Sequence, residues 1–403
     1  MKTSKRTLLI LHILGWSLAG LLFLALDRRQ QPRSVVITGV VLDPASMKPL
    51  TGVAIAWGTQ KTQSDPSGRY EISVPVGIRE LTFTLPGRPS VSKLLIVRQP
   101  APPVTQDVLL PADPETPRKV LALDRGSRLG PGGKELESDV AADSTLSLAD
   151  EYGNHDQLLN LKTGRMRVHS PIWQSPSTVL FGREGVLHRQ ESLKALGVFQ
   201  FQLGSGTIQQ IASETSAHFL SKSPKGDSLA VADQKDLYIM DSVSKASALR
   251  RIFSLGRDQG FLLSVLWGPD DRVYFTVDDS VPVDERHSLS RSRIASVKPD
   301  GSDLNASWAG DAEHSYRYPV RGEGQEILFA RFNLDGKEQT LWSRDLRTGK
   351  TKPLFQPGLR MVYQDPKGNR LYYIYQQNLH FRNLKSGTDL VILNSVREAD
   401  YLR

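Results

Sequence analysis

The chain runs to 403 residues, enough for two or three domains. It contains no cysteine, which excludes a disulfide framework, a thiol nucleophile, a Cys-ligated zinc site and a lipidated N-terminal Cys. The formal net charge is +8, but six basic groups against one acid fall within residues 1–33, leaving 45 basic and 42 acidic groups for the rest. A nucleic-acid binder concentrates basic charge on a folded domain; here it flanks an apolar segment, so no nucleic-acid partner is expected.

That segment, Thr7 to Leu26, is 20 residues without a formal charge. At the helical rise it spans about 30 Å, the hydrocarbon thickness of a bilayer. Lys2, Lys5 and Arg6 precede it and favour a cytoplasmic N-terminus. Its length and the poor cleavage site at Leu24-Ala25-Leu26-Asp27 predict an uncleaved signal anchor over residues 1–33. The bulk of the chain is then extracytoplasmic (periplasmic) and anchored to the inner membrane; a cleaved and secreted form is the alternative.

Residues 34–112 change character. Ser34 to Asp43, Pro49 to Ile55 and Thr62 to Gly77 alternate apolar and polar residues between Asp/Pro/Gly turns, with no helical periodicity, and predict a small antiparallel β-sandwich. The order G-x-V-x-D, P-L-x-G-V, D-x-x-G-x-Y-x-I-x-V-P-x-G, carried by Gly39, Gly52, Asp65, Gly68 and Tyr70 among others, resembles the carboxypeptidase regulatory-like (transthyretin-like) domain. The resemblance implies an accessory, non-catalytic module whose glycines serve turns and whose Tyr70 packs in the core. A Pro-rich linker is read over 113–128.

From 129 to 403 two turns recur. One ends L-x-[TS]-G, at Gly164, Gly349 and Gly387; the other is P-x-G-like, at Gly226 and Gly368, with Gly268-Pro269-Asp270-Asp271 as a variant in which Asp271 replaces Gly. Short apolar strands stand between them, and units of about 40–50 residues with two hairpin turns are the sequence form of a propeller blade. Division at the turns gives six units, near 129–169, 170–212, 213–253, 254–308, 309–355 and 356–393. The C-terminal strand after Leu393, or the stretch 120–135, is expected to complete a blade and fasten the ring. The pattern resembles the TolB-like propeller family with WD40-like (PD40) repeats. The fold class is therefore all-β: an N-terminal transmembrane helix, an antiparallel sandwich and a six-bladed β-propeller.

The motifs specify architecture rather than chemistry. Gly349-Lys350-Thr351 lacks the glycine five residues upstream that a phosphate loop needs, and Asp300-Gly301-Ser302-Asp303 lacks the longer ligand series of a calcium loop. No H-E-x-x-H or G-x-S-x-G occurs. No catalytic residue, cofactor or metal is assigned, and the protein is read as a binding or scaffolding protein of the cell envelope rather than an enzyme. Its partner would be another envelope protein, met through loop residues Arg286, His287, Arg291, Glu313, His314 and Tyr316, because loops on a rigid ring carry recognition. Two alternatives stand beside it. One is a hydrolase or lyase working in the central funnel. The other is a sensor of a small ligand or polysaccharide that exposes Trp267, Trp308 or Trp342 on a rim.

Overall fold

The computed structural model describes residues 34–401 apart from 98–103, 113–119, 125–144, 156, 162–165, 186–196, 214–215, 257–258, 283–287, 334–338, 356–359, 365–369, 376–377 and 395. Every regular element among them is a β-strand. Among the described residues no helix is long and apolar enough to cross a membrane, and the expected anchor over 1–33 lies outside them.

The first strands are β1 (Ser34–Leu42), β2 (Ala54–Trp57), β3 (Gln60–Gln63), β4 (Arg69–Pro75), β5 (Gly77–Thr84), β6 (Val91–Val97), β7 (Val104–Thr105) and β8 (Val108–Leu109). They form two sheets, β4–β1–β7 with β8 also on β1, and β3–β2–β5–β6. Alternation in β4 buries Tyr70, Ile72 and Val74 and exposes Arg69, Glu71 and Ser73. These meet Ile55, Leu81, Phe83, Val91 and Leu95 of the other sheet in one core. The sequence motif serves this layer. Asp65 Oδ1 accepts the Ser67 and Arg69 N–H groups at 2.8 and 2.9 Å. Gly68, at φ +75°, passes so close to Val41 that an added Cβ would lie 2.7 Å from its carbonyl oxygen. The Tyr70 hydroxyl donates to the Gln106 carbonyl at 2.6 Å.

Six further four-stranded antiparallel sheets follow. Blade one holds β9 (Val120–Asp124), β10 (Thr145–Ala149) and β11 (Gln157–Asn160). Blade two is β12 (Met166–Ser175), β13 (Thr178–Gly185), β14 (Gly197–Gln202) and β15 (Thr207–Ala212). Blade three is β16 (Phe219–Lys222), β17 (Leu229–Ala232), β18 (Asp236–Met240) and β19 (Leu249–Ser254). Blade four is β20 (Phe261–Trp267), β21 (Val273–Pro282), β22 (Ser288–Val297) and β23 (Asn305–Ala309). Blade five is β24 (His314–Arg321), β25 (Glu326–Asn333), β26 (Gln339–Asp345) and β27 (Thr351–Phe355). Blade six is β28 (Arg360–Gln364), β29 (Arg370–Tyr375), β30 (Asn378–Asn383) and β31 (Asp389–Leu393). The last strand, β32 (Val396–Tyr401), returns to pair with β9 as the fourth strand of blade one. Val120–Asp124 thus lies in the ring, inside the stretch read from sequence as linker.

The packing shows why the sheets stand in a circle. Successive side chains of each blade's second strand enter different clusters: Leu229 and Val231 pack against blade two, Ala230 and Ala232 against blade four. Tyr274 joins Ile327 and Phe329, Leu328 joins Leu371 and Tyr373, and Leu121 joins Val179 and Phe181. A blade with two apolar faces cannot cover either alone, so each neighbour buries one. Tyr372 and Phe381 of blade six meet Ala122 and Ala149 of blade one, and the sandwich adds Leu42 and Leu109 to that cluster. The innermost strands β32, β12, β16, β20, β24 and β28 touch in that order, and β28 touches β32 in turn.

Candidate functional site

Antiparallel strands alternate in direction, so the first-to-second and third-to-fourth turns of every blade lie at one end of the ring. The recurring motifs gather there. Gly226 (φ +84°), Asp271 (φ +60°) and Gly324 (φ +57°) occupy one left-handed position, and Gly349 (φ +68°) and Gly387 (φ +72°) the other. Asp271 stands in for glycine because its carboxylate accepts the Trp267 indole N–H at 2.8 Å. Gly164 and Gly368 lie outside the described residues. Asp300 folds back onto the Ser302 N–H and hydroxyl as a plain hairpin turn, and Thr351 opens a strand rather than a helix.

The opposite end carries the second-to-third connections and those between blades. There β21 and β22 outrun their blade. Their pairing continues from Val273↔Val297 to Pro282↔Ser288, whereas β20 follows β21 only to Asp278 and β23 follows β22 only to Ile294. The pairs from Asp279↔Arg291 to Pro282↔Ser288 therefore form a two-stranded arm, reaching past the sheet by roughly 3.4 Å per residue. An ion pair between Arg293 and Asp279 braces its base. Its root is tied to the next blade: Ser292 N–H donates to Ser315 Oγ at 3.1 Å, and Arg317 Nε donates to Ser292 Oγ at 2.7 Å, whose own proton goes to Asp278 at 2.7 Å.

Beside that root lies a compact polar group. Asp311 Oδ1 accepts the N–H groups of Glu313 (2.8 Å) and His314 (2.7 Å) and sits 3.0 Å from His314 Nδ1; its other oxygen accepts the Tyr316 hydroxyl at 2.5 Å. Partial burial pushes the Asp311 carboxyl up, but the Tyr316, Glu313 and His314 hydrogen bonds outweigh it and hold it at about 2. Burial and the adjacent carboxylate push the Tyr316 hydroxyl well up. Of the residues singled out from sequence, Arg291, Glu313, His314 and Tyr316 thus come together at one blade junction, through the Ser292–Ser315 bond. Arg286 and His287 lie outside the described residues.

The axis holds a second feature that sequence reading missed. His169 of β12 and His218, directly before β16, meet as a tilted pair with ring centroids 5.3 Å apart. One extra residue interrupts β12 between His169 and Ile172, and another interrupts β24 between Arg317 and Val320. Both bulges hold a non-glycine residue at positive φ, Ser170 (+45°) and Tyr318 (+57°), each followed by proline. Blades two and five face each other across a six-membered ring, so the bulges oppose one another. The dipeptides Ser-Pro and Tyr-Pro inside strands were the signal available in sequence. At the tight-turn end Lys222 Nζ donates to the Trp173 carbonyl at 2.8 Å, while Arg321 donates to those of Trp267 and Lys222 at 2.9 and 3.1 Å, cross-tying four inner strands.

The tryptophans correct one expectation. Trp267 is buried, Trp308 sits edge-on between Tyr274 and Phe329 beneath Arg344, and Trp342 packs against the same cluster beneath Arg331. Trp267 is thus no rim platform, while Trp308 and Trp342 pack between blades and stay half-buried. Among the described residues no group of three His, Asp or Glu side chains could hold a metal ion.

No protein-family model matches the chain, and no curated protein does. Solved structures do resemble it. TolB from Acinetobacter baumannii is 16% identical with a TM-score of 0.49, over 70% of this chain and 66% of that one, just under two thirds of its length. An oligogalacturonate lyase from Vibrio parahaemolyticus is 11% identical with a TM-score of 0.46, over 79% and 85% of the two chains. A gluconolactonase from Xanthomonas campestris is 14% identical with a TM-score of 0.41, over 70% and 86%. No family, ligand or chemistry passes from these structures to the chain.

Proposed function

We propose that the chain is a binding or scaffolding protein of the cell envelope, tethered by residues 1–33 and bearing a regulatory-like sandwich and a six-bladed TolB-like propeller outside the cytoplasm. It engages a protein partner through the β21–β22 arm and the adjoining Asp311–Tyr316 loop. The observation that carries this reading is the arm: its pairs from Asp279↔Arg291 to Pro282↔Ser288 run beyond the reach of β20 and β23, and its root is fixed by Ser292, Ser315 and Arg317. Rigid scaffolds present recognition elements in this way. A photo-crosslinking amino acid at Arg291 or Glu313, in the full chain in its own cells, is expected to trap a discrete partner. The same group at Gly349 or Gly387 on the tight-turn end is not. Adducts from the tight-turn end alone would overturn the assignment. Carbonate extraction and protease protection test the tether and its sidedness.

A second reading, an enzyme acting in the axial funnel, rests on the His169–His218 pair. It expects a turnover, found by screening hydrolase and lyase substrates, that His169→Ala abolishes and arm variants retain.

A further inference from the structure

Lys93 lies on β6 of the sandwich and is fully buried. Its ammonium donates to the Tyr152 carbonyl at 2.6 Å and the Ile392 carbonyl at 3.0 Å. Tyr152 belongs to the β10–β11 turn of blade one, and Ile392 to the outer strand of blade six. A single cation from outside the ring therefore bonds both blades across the junction where β32 returns to β9.

The surrounding contacts repeat the pattern. On the blade-six side, Asp107 N–H donates to the Val391 carbonyl, Val391 N–H donates back to the Asp107 carboxylate, and Gln106 Nε2 donates to the carbonyls of Val391 and Ile392. The free edge of β31 is thus covered as a further strand would cover it. On the blade-one side, Asn154 Nδ2 donates to the Leu109 carbonyl and His155 N–H to the Ser92 carbonyl. Asn394, between β31 and β32, exchanges bonds with Ile96. Apolar burial coincides: this blade junction is the one whose cluster takes in Leu42 and Leu109 of the sandwich.

We propose that the sandwich is the latch of the ring: by bonding blades one and six through Lys93, Gln106, Asp107 and Asn154, it holds the closure between β32 and β9 shut. A propeller closed by pairing its last strand with its first can open at that junction, and here a separate domain spans it. The sandwich is then a fixed part of the disc, and the arm keeps a constant orientation relative to Ser34, where the described chain begins.

Hydrogen–deuterium exchange on the full chain tests this. Lys93→Met keeps the stem and removes the ammonium, taking this donor from the Tyr152 carbonyl and leaving Gln106 Nε2 on the Ile392 carbonyl. Exchange in β9 and β32 is expected to accelerate about tenfold or more, with β17 of blade three unchanged. Asn154→Ala cuts only the blade-one side and carries the same expectation, smaller in size, should Lys93→Met fail to accumulate. Lys61→Met, on the exposed edge strand β3, is expected to change nothing. Unaltered exchange in β9 and β32, or loosening spread equally through blades three and four, would overturn the latch.

Discussion

At Gly39 the first strand passes the Gln106 backbone so closely that an added Cβ would lie 1.9 Å from the Gln106 carbonyl oxygen and 3.0 Å from the Tyr70 ring. Neither neighbour can give way, because Tyr70 donates to that oxygen and the next residue, Asp107, is bonded to β31. Gly39→Ala is therefore expected to cost about 3 kcal/mol in urea unfolding, at the upper end of overpacking. Gly52→Ala meets no atom within 4 Å but keeps φ at +72°, and is expected to cost about 1 kcal/mol. Asp311 gives a prediction of another kind. Its carboxyl is held at about 2 in the fold and lies near its ordinary value of 3.8 when unfolded. The folded state thus binds its proton less readily, so the contribution is complete above the unfolded value and is lost as pH falls from about 4 towards 2. Urea midpoints measured down that range should fall less for Asp311→Asn than for the parent chain; Tyr316→Phe should lie between them.

At the scale of elements, the tight turns were legible in sequence because left-handed backbone demands glycine, and Gly226, Gly349 and Gly387 supply it. Asp271 marks the limit: the position was visible, but the indole bond that lets an aspartate occupy it was not. The blade edges were less legible, because the tight turns lie within blades and not between them, and the division read at 169/170 cuts β12. The latch was not legible. Lys93 sits in Val-Ser-Lys-Leu-Leu-Ile-Val like any surface lysine on a strand, and its partners are backbone carbonyls 59 and 299 residues away, which carry no residue signature. The arm showed only as the loop residues Arg286, His287 and Arg291, because the register that sends its strands past their blade is set by where β20 and β23 stop. Since among the described residues no other strand pairs with it, joining Asp279 to Arg291 by an Asn-Gly turn should leave unfolding within about 1 kcal/mol of the parent chain. Photo-crosslinks from Glu313 should fall in the same variant. Intact crosslinking with the arm removed would move recognition to the Asp311 loop alone.

For the whole molecule, the apolar clusters form a circuit. Each is shared by adjacent blades, and the one that closes the circuit is shared by the sandwich as well. No unit can unfold without exposing its neighbour's face, so calorimetry is expected to show one transition for sandwich and ring together, with van't Hoff and calorimetric enthalpies in agreement. The junction between them also sets how that transition responds to pH. Burial raises the Asp107 carboxyl, opposed by the N–H groups of Val391 and Val40 and by the charges of Lys93 and His380. Burial likewise raises Asp150, opposed by Lys93 and by its bonds to Asn154 and Tyr152. A raised value means that the folded state holds a proton which the unfolded chain releases. Stability from these two groups is therefore complete below their ordinary value of 3.8 and declines as pH climbs from there through their raised values, the reverse of Asp311. The transition should come at a higher temperature near pH 4 than near pH 8, and the gap should narrow in Asp150→Asn. A gap that persists unchanged in Asp150→Asn and Asp107→Asn alike would place its origin outside the junction between sandwich and ring.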